Sequence, residues 1–138
     1  MTLLDTNIVI HALRGNEKVV RRFEERAGSL ALPAMVLGEL LYGVAKSGNP
    51  AKNGELLESL VGTLPIIHTD NEIMQMFADQ KAALSIRGEA VEDADTLIAA
   101  TAIVYGATLA TGNTRHFTSA GKVCPRTVKS IVCGALLT

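Results

Sequence analysis

The sequence predicts an α/β fold in a single domain, with a parallel β-sheet flanked by α-helices. The chain has 138 residues, a common size for one domain, and its apolar residues, 48% of the total, lie in short blocks along the whole length. Strand-like and helix-like blocks alternate, which is typical of a parallel sheet whose strands are joined by helices. No internal repeat or linker indicates a second domain, so one domain is expected over residues 1–138.

Each predicted strand is a short apolar block that is bounded by a polar residue, a proline or a glycine. The four blocks comprise residues 1–4, 30–32, 64–67 and 107–111. The first ends at Asp5, the second stops at Pro33, and the last follows Gly106, a residue type that commonly ends helices. From about residue 122 onward the apolar residues have no clear period, and the sequence predicts no definite structure for this tail.

The predicted helices fill the intervals between these blocks and have apolar residues at spacings of three and four. Helices are expected after Asp5, from Asn16 to about Arg26, over residues 34–45, around residues 56–61, from Asp70 or Asn71 to near Gly88, and from about Asp93 to Tyr105. In the helix over residues 34–45, the side that carries Val36, Leu37, Leu40 and Leu41 is expected to face the core.

Charge and hydropathy narrow the function classes. Thirteen basic and fourteen acidic residues give a net charge of −1, so the chain has no general electrostatic attraction for nucleic acid, and RNA would have to be held by local patches. No apolar run approaches the roughly 18 residues of a membrane span. The start also lacks a charged segment followed by a cleavable apolar stretch. These features predict a cytoplasmic protein with no membrane association.

Acidic and amide side chains are expected at the carboxyl edge of the sheet, where the reacting groups of open parallel sheets gather. Asp5 and Asn113 directly follow predicted strands, and Asp95 lies in the first turn of a helix that can share this edge. Glu39 lies in the middle of an apolar helix, near the margin of its expected core face. An unpaired charge buried there would be destabilising by several kcal/mol.

Two interpretations of these acids are open from spacing alone. Carboxylates that point at one another repel, and a divalent cation such as Mg²⁺ or Mn²⁺, which prefers oxygen ligands, would explain why they are collected. Alternatively, Asp5, Asp93 and Asp95 are helix caps or helix-dipole partners and Glu39 is exposed. Spacing does not show whether residues so far apart in the chain converge.

Four short motifs occur in a specific order along the chain. They are LLDTN at residues 3–7, GELLYG at 38–43, DADTLIAATA at 93–102 and LATGNTRHF at 109–117. With these motifs the chain resembles the PIN-domain ribonucleases of the VapC type, toxins of bacterial toxin–antitoxin pairs. The resemblance covers residues 3–117 and implies a PIN fold in which Asp5, Glu39 and Asp95 are catalytic and bind Mg²⁺ or Mn²⁺.

The resemblance also implies a role for Asn113, which occupies the family's fourth acidic position. An amide there could orient water or a ligand but adds no negative charge. The resemblance therefore favours one bound ion over two. The implied activity is hydrolysis of an RNA phosphodiester by metal-activated water, in a structured target such as a tRNA or rRNA loop. The implied partners are a VapB-like antitoxin and a second copy of the chain in a homodimer.

Further polar residues adjoin the motif acids. Thr6 and Thr111 could hydrogen-bond a metal-bound water or a phosphate, although threonines at strand ends also cap helices. Asp93 is a secondary candidate, but side chains two residues apart on a helix point in different directions, so Asp93 is expected to be the N-cap. Possible phosphate contacts are the basic residues beside motif loops: Arg14, Arg115 and His116.

The sequence leaves two other function classes as alternatives to the nuclease. An aspartyl-phosphate phosphotransferase could use Asp5 as nucleophile. However, the sequence Asp5-Thr6-Asn7 lacks the second aspartate of a DxD pair, and no lysine follows the strand at 107–111. A non-catalytic binding module would keep the acids only as structural caps, and the presence of all three motif acids argues against it.

Overall fold

The computed structural model describes residues 1–112 and 130–131 of the chain. Its strands are β1 (Thr2–Leu4), β2 (Leu30–Pro33), β3 (Ile66–Ile67), β4 (Thr108–Ala110) and β5 (Ser130–Ile131). They form one sheet in the order β3-β2-β1-β4-β5, in which every neighbouring pair is parallel. The predicted parallel α/β fold is confirmed.

Six α-helices lie within residues 1–112. They are α1 (Thr6–Leu13), α2 (Glu17–Arg26), α3 (Ala34–Ala45), α4 (Pro50–Val61), α5 (Asn71–Ile86) and α6 (Asp93–Val104). Helix α4 begins at Pro50, which suits the first helical position because proline has no N–H to leave unpaired. None of the six helices is both long and apolar enough to cross a membrane.

The direction in which the sheet grows reverses at β1. The chain adds β2 and then β3 on one side of β1, and β4 on its other side. In parallel sheets such a reversal leaves a crevice beyond the carboxyl ends of the two central strands, here β1 and β4. The backbone N–H of Asp5 donates to the carbonyl oxygen of Ala110 at 2.9 Å, which joins the ends of these two strands.

The core is a continuous apolar cluster formed by the strands and by one side of each surrounding helix. Helix α6 is its most deeply buried helix, with Ile98 fully enclosed and almost every residue from 96 to 103 inaccessible to solvent. Gly106 follows this helix with φ of +57°, the left-handed conformation that its sequence position predicts. Because α6 is buried from Thr96 onward, the turn that carries Asp95 is anchored against the core.

The structure corrects three details of the predicted elements. The N-cap of α6 is Glu92, and Asp93 is the first helical residue, so the prediction of an Asp93 cap is wrong. Leu41 is 51% exposed although it was expected in the core, because the buried face of α3 centres on Val36 and Leu40. Strand β3 is shorter than predicted and leaves residues 64–65 outside the strand.

Candidate active site

Asp5 lies at the junction between β1 and α1, where its extended backbone makes it the N-cap of the helix. The residue is 4% exposed, and both carboxylate oxygens are hydrogen-bonded. Oδ1 accepts from the backbone N–H of Thr6 at 2.8 Å, and Oδ2 accepts from the hydroxyl of Thr111 at 2.7 Å. These donors compensate the desolvation of the carboxylate and fix its orientation in the crevice.

Glu39 reaches the same crevice from α3. Its Oε1 accepts a hydrogen bond from the Thr6 hydroxyl at 2.9 Å. Partial burial raises the pKa of Glu39, the Thr6 hydrogen bond lowers it, and the negative charges of Asp5, Asp95 and Glu92 raise it further, with a net upward shift. Asp5 and Asp95 thus both lie close enough to Glu39 to act on it electrostatically.

Asp95 and Asp93 are separated by the geometry of α6. Asp95 is partly buried and raises the pKa of Glu39 by its charge. The Asp93 side chain is 65% exposed and its carboxylate pairs with the Lys81 ammonium at 3.0 Å. Only Asp95 therefore contributes to the group formed with Asp5 and Glu39, which we call the acidic site.

The acidic site has the donor chemistry of a site for a divalent cation. Its carboxylate oxygens are the ligands that Mg²⁺ and Mn²⁺ prefer, and their mutual repulsion is relieved by a cation. Among residues 1–112, no three His, Cys, Asp or Glu side chains are arranged closely enough to hold one metal ion. Shared binding of one ion by Asp5, Glu39 and Asp95 would therefore bring these side chains closer together than they are here.

The remaining candidate residues have different positions. Thr6 and Thr111 both donate their hydroxyls to carboxylates of the acidic site. The residues that lie outside the described part of the chain are Asn113, Arg115 and His116. Sequence reasoning did not identify Glu92, whose charge also acts on Glu39. The one signal for it was its place immediately before the helix that carries Asp95.

A groove of about 330 Å³ opens beside Glu39 between α1, α3 and α4. Most of its wall is aliphatic, and its lining comprises Ile10, Leu13, Arg14, Glu39, Leu40, Gly43, Val44, Asn53 and Leu56. Arg14, exposed at the end of α1, thus shares one groove with a carboxylate of the acidic site. This position is compatible with the predicted contact between Arg14 and a phosphate.

Substituting Glu39 by glutamine is expected to stabilise the protein at pH 7 when divalent cations are removed with EDTA. A carboxyl group whose pKa is higher in the folded than in the unfolded protein binds more protons when folded. As the pH rises above 4.5, the ordinary pKa of this group, its charge therefore lowers the stability of the protein. Glutamine keeps an oxygen acceptor for Thr6 but carries no charge. The gain should be below about 1 kcal/mol, because water screens a partly exposed group.

Urea unfolding of both proteins at pH 7 and at pH 4 measures this effect. The difference in unfolding free energy should shrink toward the lower pH, where Glu39 is protonated in the folded wild type. A difference that is independent of pH, or that favours the wild type at pH 7, would contradict the upward shift of the Glu39 pKa.

Comparisons with known proteins extend over most of the chain. A family description, PIN domain, matches residues 2–123. Ribonuclease VapC2 of Haemophilus influenzae is 33% identical over 116 residues, covering 83% of this chain and 88% of the relative. The tRNA(fMet)-specific endonuclease VapC of Shigella flexneri is 32% identical over 120 residues, covering 86% and 91%.

A solved structure shares the fold. It is that of VapBC2 from Rickettsia felis bound to a DNA fragment from the promoter of the pair. The matched chain is 27% identical and superposes with a TM-score of 0.83. The match covers 94% of this chain and 97% of the solved one.

Proposed function

Because this chain belongs to the PIN-domain family, as a VapC-type ribonuclease, we propose that it cleaves structured RNA with Mg²⁺ or Mn²⁺ at the acidic site. The observation that carries the proposal is the linkage of Asp5 and Glu39 through Thr6, with the charge of Asp95 acting on Glu39. Clustered carboxylates at the crevice of a parallel sheet match the needs of metal-assisted phosphodiester hydrolysis.

Each residue of the site has a distinct part in this proposal. Asp5, Glu39 and Asp95 supply the oxygen ligands, and Thr111 holds Asp5 through its 2.7 Å hydrogen bond. A bound Mg²⁺ or Mn²⁺ would supply charge neutralisation at the phosphodiester and activation of the attacking water. Arg14, in the groove beside Glu39, is suited to hold a neighbouring phosphate of the substrate as a bidentate donor.

The substrate class and partners rest on the named relatives. A relative at 32% identity is named a tRNA(fMet)-specific endonuclease, which supports a tRNA or another RNA with a structured loop as substrate. Solved relatives are described as VapBC complexes, which supports neutralisation by a VapB-like antitoxin. We extend the proposal to a homodimer and to action in the cytoplasm, where tRNAs take part in translation.

Cleavage of total cellular RNA by the purified protein tests the proposal. With Mn²⁺ or Mg²⁺ we expect discrete cuts, and sequencing of the fragment ends would name the RNA and the bond. EDTA should reduce cleavage by more than about 100-fold, because the carboxylates alone neither activate water nor neutralise the phosphodiester. The Asp5→Asn protein is the matched control for contaminating nuclease.

Two results would contradict the proposal. Cuts that persist in both EDTA and Asp5→Asn would come from a contaminant or from chemistry elsewhere in the protein. An absence of cuts under every condition, with no stabilisation by Mn²⁺, would favour a non-catalytic binding module.

A further inference from the structure

Thr6 contacts two carboxylates of the acidic site with two different groups. Its backbone N–H donates to Oδ1 of Asp5 at 2.8 Å, and its hydroxyl donates to Oε1 of Glu39 at 2.9 Å. The first contact is local, but the second joins residues that are 33 positions apart in the chain. Thr6 therefore ties the start of α1 to the middle of α3 by a side-chain hydrogen bond.

The hydroxyl contact has a physical consequence for the site. Glu39 lies in the middle of α3, and as a glutamate it has several rotatable bonds between the backbone and the carboxylate. A carboxylate repelled by neighbouring negative charges tends to rotate toward solvent. The Thr6 hydroxyl opposes this rotation with a hydrogen bond to a charged acceptor, which is stronger than one between neutral groups.

We propose that Thr6 is a positioning residue that holds the Glu39 carboxylate beside Asp5 before a divalent cation binds. This inference rests on the proposed function and adds a role that the acids themselves do not fill. A ligand that is already held near a second one loses less freedom when an ion draws the carboxylates together, so the ion binds more tightly.

Two substitutions at this position separate the hydroxyl from the rest of the side chain. Thr6→Val keeps the shape and the β-branch but removes the donor, and Thr6→Ser keeps the donor and removes a methyl group. Mn²⁺ affinity is measured by electron paramagnetic resonance of the free ion, without RNA. We expect Thr6→Val to weaken Mn²⁺ binding about tenfold, the lower end of the effect of outer hydrogen-bond partners on metal affinity, and Thr6→Ser to stay within about threefold.

RNA cleavage gives a second readout. At saturating Mn²⁺ the cleavage rate of Thr6→Val should approach that of the wild type, while the Mn²⁺ concentration for half-maximal rate rises about tenfold. A residue that served only to tie α1 to α3 would change stability and leave this concentration unaltered.

The link between Thr6 and Glu39 is also tested without any metal. In EDTA, urea unfolding of Thr6→Val, Glu39→Ala and the double variant forms a double-mutant cycle. The double substitution changes the unfolding equilibrium constant by some factor, and each single substitution does the same. We expect the factor for the double variant to differ about tenfold from the product of the two single factors, equivalent to a coupling free energy of about 1.4 kcal/mol. Additive effects would overturn the proposal, as would a Thr6→Val protein that binds Mn²⁺ like Thr6→Ser.

Failure of the proposed function gives a different pattern. A wild-type protein that binds no Mn²⁺ and cuts no RNA would overturn the metal-dependent activity. The cycle in EDTA would still decide whether the Thr6 hydroxyl holds Glu39.

Discussion

An Asp95→Asn variant is expected to cleave RNA more than about 100-fold more slowly than the wild type at saturating Mn²⁺. The substitution removes a negative charge that acts on Glu39 and replaces the proposed carboxylate ligand by a neutral amide. Loss of an outer partner of a metal ligand already reduces affinity or activity about 10- to 100-fold, so loss of a ligand charge should exceed this. Initial cleavage rates on a single RNA substrate measure the effect.

The matched control is the same substitution two residues earlier. Asp93→Asn removes an identical charge from the same helix, but this carboxylate is 65% exposed and pairs with Lys81. Exposed ion pairs contribute at most about 1 kcal/mol to stability, and we expect the cleavage rate to change by less than about threefold. Equal losses in the two variants would contradict the assignment of Asp95 to the acidic site.

An Ile98→Ala variant is expected to lose about 2–5 kcal/mol of unfolding free energy. Ile98 is fully buried on α6, one turn after Asp95, and its truncation leaves a cavity in the core that neighbouring side chains fill only in part. Urea unfolding should show a lower midpoint with an unchanged slope. Because Ile98 also anchors the turn that carries Asp95, cleavage should become more sensitive to temperature.

Ile86→Ala provides the control for this prediction. Ile86 is the last residue of α5 and is 87% exposed, so the same truncation removes almost no buried surface. Its unfolding free energy should stay within about 0.5 kcal/mol of the wild type. A comparable loss in both variants would show that the substitution acts through the unfolded chain and not through the core.

Local signals in the sequence predict the fold and part of the acidic site. The strand into Asp5 and the helix stop at Gly106 depend on short-range features, namely an apolar block followed by a capping residue and a glycine with positive φ. The position of Asp5 at the crevice then follows from the rule that parallel strands place their carboxyl ends at one edge. These features require no knowledge of distant contacts.

Features that depend on partners from distant segments could not be predicted. The hydrogen bond from Thr6 to Glu39 joins α1 to α3, and no spacing in the sequence encodes it. Helix α5 buries Gln80, 2% exposed, while Met74 is 44% exposed. Because apolar residues are spread around this helix, its sequence does not show which face is buried. The packing of α6 against α5 decides this. The separation of Asp93 from Asp95 likewise depends on Lys81 of α5.

The pairing of β1 with β4 has a consequence for synthesis of the protein in the cell. The hydroxyl that holds Oδ2 of Asp5 belongs to Thr111, which the ribosome adds 106 positions later. Asp95 and helix α6 also follow the first three strands in the chain. A nascent chain that has completed only β1, β2 and β3 therefore carries neither the full set of acids nor the strand that positions Asp5. Because these contacts join residues so distant in the chain, a ribosome that makes this protein meets the assembled acidic site only after it has synthesised β4 and Thr111.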